Sequence, residues 1–489
     1  MTSPTTQKEL GAYYTPDAVA GCLVQWATRS ESDRLIDPSC GDGRFIAQHR
    51  LSIGVEQNPV AAAEARAQAP WALIHEGDFF TWAAQTEERF DCAAGNPPFI
   101  RYQTFNGATR AMAARYCGAL GVHFSGLSSS WAPFLVATAS LLRPSGRMAF
   151  VIPAEIGHAP YAAPLLEYLI ARFSTVQIVA VREKLFPALS EDCWLLYAAG
   201  FGGSTDEIRF SAIDRFKPSP RPPSRCIRVN VDEWRDQAKR RLRTYLLPSE
   251  ARALYLKAAA APGTARLGEM ASVGIGYVSG ANDFFHLRAS EAAQWAIPDR
   301  LLTPTVRNSR ALPADRLSND TIATWRENDA PILLLHLPKT GTLPGAVQRY
   351  LDTEAGQAAR EGFKCRTREP WYSVPDVQVP HFFLSYMSGR TPSLVRNDAG
   401  ATCTNSLHVV RLHDPASGAR LTNVWNTSFV KLSCELEGHP LGGGMLKLEP
   451  REAKQIIIPR LAALDDDDAE IVTAGLNEMR RWRHYAVEH

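Results

Sequence analysis

The chain has 489 residues, 45 % hydrophobic and 21 % charged, an ordinary globular composition and length enough for two or three domains. Lys and Arg total 53 against 51 Asp and Glu, a formal net charge of +2. That excludes a strongly basic DNA-coating protein and a strongly acidic tail protein, but not a local basic cleft. No apolar run approaches the roughly 18 residues of a transmembrane helix, and Met1–Leu10 is polar, unlike a signal peptide. Nine cysteines are scattered with no Cys-x-x-Cys pair. This disfavours a disulfide framework or zinc site and points to a reducing cytoplasm.

From about Asp33 to Phe201, short apolar runs alternate with helical stretches. Strands are expected at Arg34–Asp37, Ser52–Glu56, Ala72–His75, Asp91–Gly95, Arg147–Ile152, Val176–Val181 and Trp194–Ala199. Helices are expected at Pro59–Gln68, Trp131–Leu142 and Ala163–Phe173. This alternation predicts βαβ units and a mostly parallel sheet. Residues 216–225 read FKPSPRPPSR, which favours an extended linker, and KRRLR follows at Lys239–Arg243. After about Tyr245 the chain is rich in Gly, Pro, Asn and aromatics, as expected of a separate domain. Asp465–Asp468 opens a last helix that ends in Arg480, Arg481 and Arg483, an order that suits the helix dipole.

The first expected strand ends in Asp37-Pro38-Ser39-Cys40-Gly41-Asp42-Gly43-Arg44-Phe45. Two glycines after a strand allow a tight turn and close approach to a ligand, although the full dinucleotide fingerprint is absent. Glu56 follows at the end of the next strand, placed to accept hydrogen bonds from a ribose diol. Asp78 ends the third strand and Asn96 the fourth. These four polar residues fall at the carboxyl ends of parallel strands, the edge where open α/β sheets bind ligands.

Asn96 opens Asn96-Pro97-Pro98-Phe99. In isolation such a sequence is a rigid turn after a strand. Preceded by the glycine turn and two acids at βαβ spacing, it resembles the S-adenosylmethionine-dependent amino-methyltransferases. Upstream lies Gly11-Ala12-Tyr13-Tyr14-Thr15-Pro16, locally a helix start with Thr15 as cap and Pro16 in the first turn. The order of motifs is similar to that of the gamma-class adenine-N6 DNA methyltransferases of restriction–modification systems. The resemblance extends to Gly274–Phe285, to Lys364–Tyr372, to Thr404–His408 and to Gly442–Pro450, with Ser279 standing where threonine is more usual.

The resemblance implies a Rossmann-like class I methyltransferase sheet with helices on both faces (residues 1–215). A linker (216–245) and a mixed α/β target-recognition domain (246–489) follow. It implies S-adenosylmethionine as cofactor, with Tyr14, Thr15, Asp37, Pro38, Cys40, Gly41 and Gly43 around the methionine end. Glu56 is then expected at the ribose, Asp78 and Phe79 at the adenine, and Asn96 beside the methyl group.

An exocyclic amino nitrogen is a poor nucleophile because its lone pair is delocalised. Two acceptors on its hydrogens, the Asn96 side chain and the Pro97 carbonyl, favour a pyramidal nitrogen. Pro97 and Pro98 fix the turn and donate no competing N–H. Phe99 offers a face for a base rotated out of the duplex, and the resemblance implies a second aromatic over that base, for which Phe186 is the candidate. No Pro-Cys pair is present for ring-carbon methylation, and methyl transfer from a sulfonium requires no metal. Cys40 is read mainly as a packing residue.

In the second half, Lys364, Arg366 and Arg368, interleaved with Trp371 and Tyr372, are candidate DNA contacts, as are Asn405 and His408. Double-stranded DNA is the expected partner. A cognate restriction endonuclease is expected as a separate chain, because no upstream Pro-Asp partner accompanies Glu452-Ala453-Lys454. Two alternatives stay open, a protein-glutamine or RNA amino-methyltransferase and a non-catalytic DNA-binding subunit.

Overall fold

A computed structural model of the chain describes residues 15–100, 105, 107–125, 129–187, 189, 191–236, 240–459 and 466–485. Tyr14 lies outside the described residues. Contacts divide the chain into two units, Met1–Leu246 and Leu247–His489.

The first unit is built on one nine-stranded sheet. Its strands are β1 (Leu35–Asp37), β2 (Ser52–Glu56), β3 (Leu73–Glu76), β4 (Phe90–Gly95), β5 (Leu142–Pro153), β6 (Phe173–Val181), β7 (Cys193–Phe201), β8 (Glu207–Ile213) and β9 (Ile227–Asn230), in the order β3-β2-β1-β4-β5-β7-β6-β8-β9. Strands β1 to β5 pair in parallel. Strand β7 enters between β5 and β6 and runs antiparallel to both. The alternating pattern therefore predicts the parallel half correctly and misses the reversal, which pattern alone does not encode.

Local chemistry explains the helices. Helix α1 (Asp17–Ala27) starts after Pro16, and no side chain caps it. Thr15, expected as that cap, is instead buried. Helix α2 (Pro59–Gln68) is capped by Asn58, whose Oδ1 accepts from the Val60 amide at 2.9 Å, and Pro59 presets the first turn. Helix α3 (Phe79–Gln85) is capped by Asp78. Helix α4 spans Gly107–Ala119, α5 spans Trp131–Ser140 and α6 spans Ala163–Arg172. Helix α5 is apolar all round and buried from Trp131 through Ala139, as befits a core helix.

Residues 216–245, expected as a linker, contain β9, which pairs antiparallel with β8. Trp234 and Arg243 are also buried there. The prolines make a surface loop between two paired strands, since Pro cannot donate to a ladder.

The second unit is mixed α/β. Its five-stranded sheet runs Ala271–Ile275, Leu407–Leu412, Phe382–Ser385, Leu394–Asn397, Arg316–Leu317. One core forms around Phe285, Leu334, Val347 and Phe383, another around Phe382, Trp425, Val430 and Leu446. The last helix, Asp466–Trp482, packs on Ser428–Glu437. Just beyond it the Arg483 guanidinium grips Glu435 at 2.8 Å and donates to the carbonyls of Gly389, Arg390 and Gly444. No helix among the described residues is long and apolar enough to cross a membrane, and all nine cysteines are free.

Candidate functional site

Strands β3, β2, β1 and β4 are parallel neighbours, so their carboxyl ends form one continuous edge. Asp37 is the last residue of β1, and Glu56 is the last of β2. Asp78 stands two residues beyond β3, and Asn96 follows β4 directly. The four polar residues expected together are together on this edge.

Asp37 is the most constrained of them, at 1 % exposure. Its Oδ1 accepts from the Ser39 amide at 3.1 Å, while its Oδ2 is buried with no hydrogen-bond partner among the described residues. Burial pushes the Asp37 pKa up to about 8. The Glu56 and Asp42 carboxylates push the same way, and the Ser39 amide opposes them. The neighbouring strand makes room for this carboxyl: a β-carbon on Gly95 would lie 2.6 Å from Asp37 Oδ1.

Beyond Pro38, which is buried, the chain turns through Gly41 (φ 53°) and Gly43 (φ 94°), left-handed conformations that favour glycine. At Gly43 a β-carbon would also meet the Ala65 backbone of α2 at 2.9 Å. The Gly41 amide donates to Glu56 Oε2 at 3.0 Å and the Asn58 amide to Oε1 at 2.7 Å. Glu56 is thus held rigid by two amides, with lone pairs left for two hydroxyls. Cys40 packs its sulfur against Gly54, where a β-carbon would lie 2.6 Å away. Burial raises its thiol pKa, which makes it a packing group rather than a nucleophile.

Asp78 Oδ1 accepts from the Thr81 amide at 2.8 Å and hydroxyl at 2.9 Å. Its capping role explains its position and does not use the other oxygen. Phe79 is buried and stacks on Phe134, centroids 5.2 Å apart at 19°. It is a floor beneath the edge more than a free face.

The Asn96–Phe99 segment is braced on both sides. Ser39 Oγ donates to the Asn96 main-chain carbonyl at 3.3 Å. The Ser130 hydroxyl, fully buried before α5, donates to the Pro98 carbonyl and accepts from the Ile100 amide at 3.0 Å. Pro97 is buried. Phe99 rests against the cluster that contains Phe186, itself 6 % exposed. Both aromatic candidates therefore share one patch, with Phe186 tightly packed. Behind the brace, Tyr161 bonds Glu155 and Ser129, and the Trp131 indole donates to Tyr161 at 3.2 Å.

Two further groups shape the site. Arg44 joins the glycine turn to the N-terminal segment: it donates to Asp42 at 2.8 Å and to the Thr15 carbonyl at 3.0 Å. This bond places Thr15 beside the turn. Ser130 was not among the expected site residues. Its signal was faint, a serine before a core helix.

The donor set suits S-adenosylmethionine, a ligand with a cationic sulfonium and ammonium and a ribose diol. Three carboxylates, Asp37, Asp42 and Glu56, lie around the glycine turn, and the unpartnered Asp37 oxygen needs a donor or cation to offset its burial.

In the second unit the candidate DNA contacts separate into two groups. Lys364, Arg366 and Asn405 are exposed. Two others are corrected. His408 is 0 % exposed, and its Nε2 bonds the Leu448 carbonyl at 2.6 Å, so it is a core group; burial also lowers its pKa, holding it neutral. Arg368 donates to the carbonyls of Ser279 and Val278, clamping that loop. Trp371 packs beside Phe284 and Phe285, and Tyr372 packs edge-on against Trp371. These rings are mainly core walls.

Comparison with known proteins adds two family matches. The family described as type II methyltransferase M.Eco57I, C-terminal domain, matches residues 239–487, and that described as Eco57I restriction-modification methylase matches residues 53–186. The type II methyltransferase M.XamI of Xanthomonas campestris pv. amaranthicola is 24 % identical, over 93 % of this chain and 86 % of its own. A tRNA1(Val) (adenine(37)-N6)-methyltransferase of Actinobacillus succinogenes is 32 % identical over 28 % of this chain and 59 % of its own. Among solved structures, the DrdV–DNA complex is similar in fold, with TM-score 0.50 and 12 % identity over 90 % of this chain, which spans 55 % of that one.

Proposed function

The chain belongs to the type II methyltransferase M.Eco57I family, and on that premise we propose that it is a site-specific DNA methyltransferase of a restriction–modification system. We further propose that it transfers the methyl group of S-adenosylmethionine to the N6 amino group of an adenine rotated out of double-stranded DNA. The observation that carries this reading is the single edge that holds Asp37, Glu56, Asp78 and Asn96, with the Asn-Pro-Pro-Phe turn directly after Gly95, whose backbone lies against the buried Asp37 carboxyl.

The proposed roles follow the geometry. Asp37 holds the ammonium of the cofactor, with Pro38, Cys40, Gly41 and Gly43 forming the turn around its methionine end and Tyr14 and Thr15 upstream of it. Glu56, fixed by two amides, accepts from the ribose hydroxyls. Asp78 uses its second oxygen on the cofactor's adenine, above the Phe79 floor. When bound, the cofactor supplies a methyl group on an electron-poor sulfonium sulfur.

Asn96 and the Pro97 carbonyl accept hydrogen bonds from the two N6 hydrogens, which frees the nitrogen lone pair and aims it. Ser130 occupies the Pro98 carbonyl, so the Pro97 carbonyl is the main-chain acceptor left for the amine. The methyl group would come to this nitrogen from the bound cofactor's sulfonium, and the proton that the methylated amine then gives up would pass to solvent. Phe99 faces the extruded base, and Phe186 completes the apolar wall behind it.

Lys364, Arg366 and Asn405 are the proposed DNA contacts of the second unit. The partners are duplex DNA and a cognate endonuclease on a separate chain, in a reducing compartment such as the cytoplasm. The RNA reading draws on the tRNA methyltransferase match, which is confined to 28 % of the chain. It leaves the second unit without a role.

Nucleoside mass spectrometry after incubation with S-adenosylmethionine and duplex DNA, RNA or protein tests this choice. N6-methyladenine in DNA is the expected product. Label confined to RNA or to a protein amide contradicts the reading.

A further inference from the structure

Four segments of the second unit converge at one place. Tyr277 and Thr404 form a bridge, and the Asn405 amide donates to the Tyr277 carbonyl at 3.0 Å. Thr404 and Ser406 hydroxyls both donate to the Arg307 carbonyl, at 2.7 and 2.6 Å, and the Arg307 guanidinium pairs with Asp283 at 2.9 Å. The Cys365 thiol and Arg368 reach the Ser279 carbonyl, and a β-carbon on Gly280 would lie 2.9 Å from Lys364 Cβ. The turn Phe363–Arg366 is thereby riveted from below by buried Cys365 and by Arg368.

What this rigid base carries is unusual. The Phe363 ring is 64 % exposed. Lys364 Nζ lies 5.8 Å and Arg366 Cζ 5.5 Å from its centroid. Neither cation has a carboxylate partner among the described residues. Burial of one ring with so few apolar neighbours does not make a protein–protein patch, which needs a contiguous area of several hundred Å2. A flat apolar face flanked by two unpaired cations matches nucleic acid: a base surface beside its phosphates.

We propose that Phe363, Lys364 and Arg366 form a DNA-engaging knuckle, in which the Phe363 ring packs against a base step of the duplex and the two cations contact the flanking phosphates. The proposal rests on the DNA reading given above and adds to it an aromatic wedge that composition and spacing do not reveal. Phe363 gains its surface burial only on DNA, whereas Arg368 is spent within the fold and holds the knuckle in place.

Binding of a short synthetic duplex, cut from plasmid sequence that the wild-type chain methylates, tests this as a function of salt. Phe363→Ala is expected to weaken binding about 5- to 100-fold, the range of a lost aromatic–base contact, with an unchanged salt slope and unchanged affinity for S-adenosylmethionine. Phe363→Trp is expected to keep wild-type binding. Lys364→Ala and Arg366→Ala are each expected to lower the salt slope by about 1. Wild-type affinity in Phe363→Ala overturns the knuckle, whatever the cation variants do, and leaves the methyltransferase reading intact. A wild-type chain that puts no methyl group on any DNA overturns that reading and the knuckle with it.

Discussion

Among the described residues, Asp37 at the end of β1 makes no ion pair. One oxygen rests on the Ser39 amide, the other is buried without a partner among the described residues, and the pKa stands at about 8. An acid whose pKa rises on folding from about 4 favours the fold fully below about pH 4. It loses that contribution as pH climbs towards 8, because the folded state holds a proton that the unfolded state has released. Unliganded Asp37→Asn is therefore expected to gain thermal stability over the parent as pH rises from about 5 to 8. Parallel melting curves across that range contradict the assignment. On the proposed reading, a cofactor ammonium at this oxygen would reverse the sign, because it would make the ionised form the favoured one.

At the scale of elements, short polar contacts decide which segments are rigid. The Asn96–Phe99 turn is held by Ser39 on one side and Ser130 on the other, which presents the Asn96 side chain and Pro97 carbonyl at a fixed angle. The C-terminal helix ends on a different device. Arg483, 1 % exposed, spends its guanidinium on Glu435 and on three carbonyls that include Gly444. The Gly442–Pro450 motif is thus anchored by the last helix. Removal of one partner leaves the other charge buried, which costs about 3–5 kcal/mol. Arg483→Ala is expected to lower stability towards urea by that amount and to leave S-adenosylmethionine binding by the folded chain unchanged. An unshifted unfolding midpoint contradicts the anchoring role.

The same scale explains what the sequence made legible. Strands β1 to β4 were marked by apolar runs that stop at Asp, Glu, Gly or Asn, and α2 by the Asn58-Pro59 start. Such signals are local, so they survive without tertiary knowledge. Strands β8 and β9 are missed because proline between them imitates a linker; β7 is expected as a strand, but its reversed direction is not, because that is set by its sheet partners. His408 and Arg368 looked like surface groups by residue type. Their fates hang on carbonyls 40 and 89 or 90 residues away, at Leu448, Ser279 and Val278. Phe363 illustrates the converse: an aromatic residue is expected inside, and only the fold leaves it outside.

Across the whole molecule, two units carry two kinds of chemistry. Met1–Leu246 holds the sheet edge with its carboxylates and braced Asn-Pro-Pro-Phe turn, and Leu247–His489 holds the converging loops with their exposed cations. On the proposed reading this division separates transfer from recognition, so variants at Asn96 and at the knuckle are expected to fail differently. On the proposed roles, Asn96→Ala removes one of the two acceptors for the reacting amine and leaves in place the carboxylates assigned to the cofactor. The measurement that tests the account most directly is transfer of labelled methyl from S-adenosylmethionine to duplex DNA by Asn96→Ala, with cofactor affinity measured on the same sample. Transfer at least about 100-fold below wild type, as for loss of a transition-state-directed group, with cofactor affinity within a few-fold of wild type, is the predicted result. Methyl transfer at the wild-type rate would contradict it.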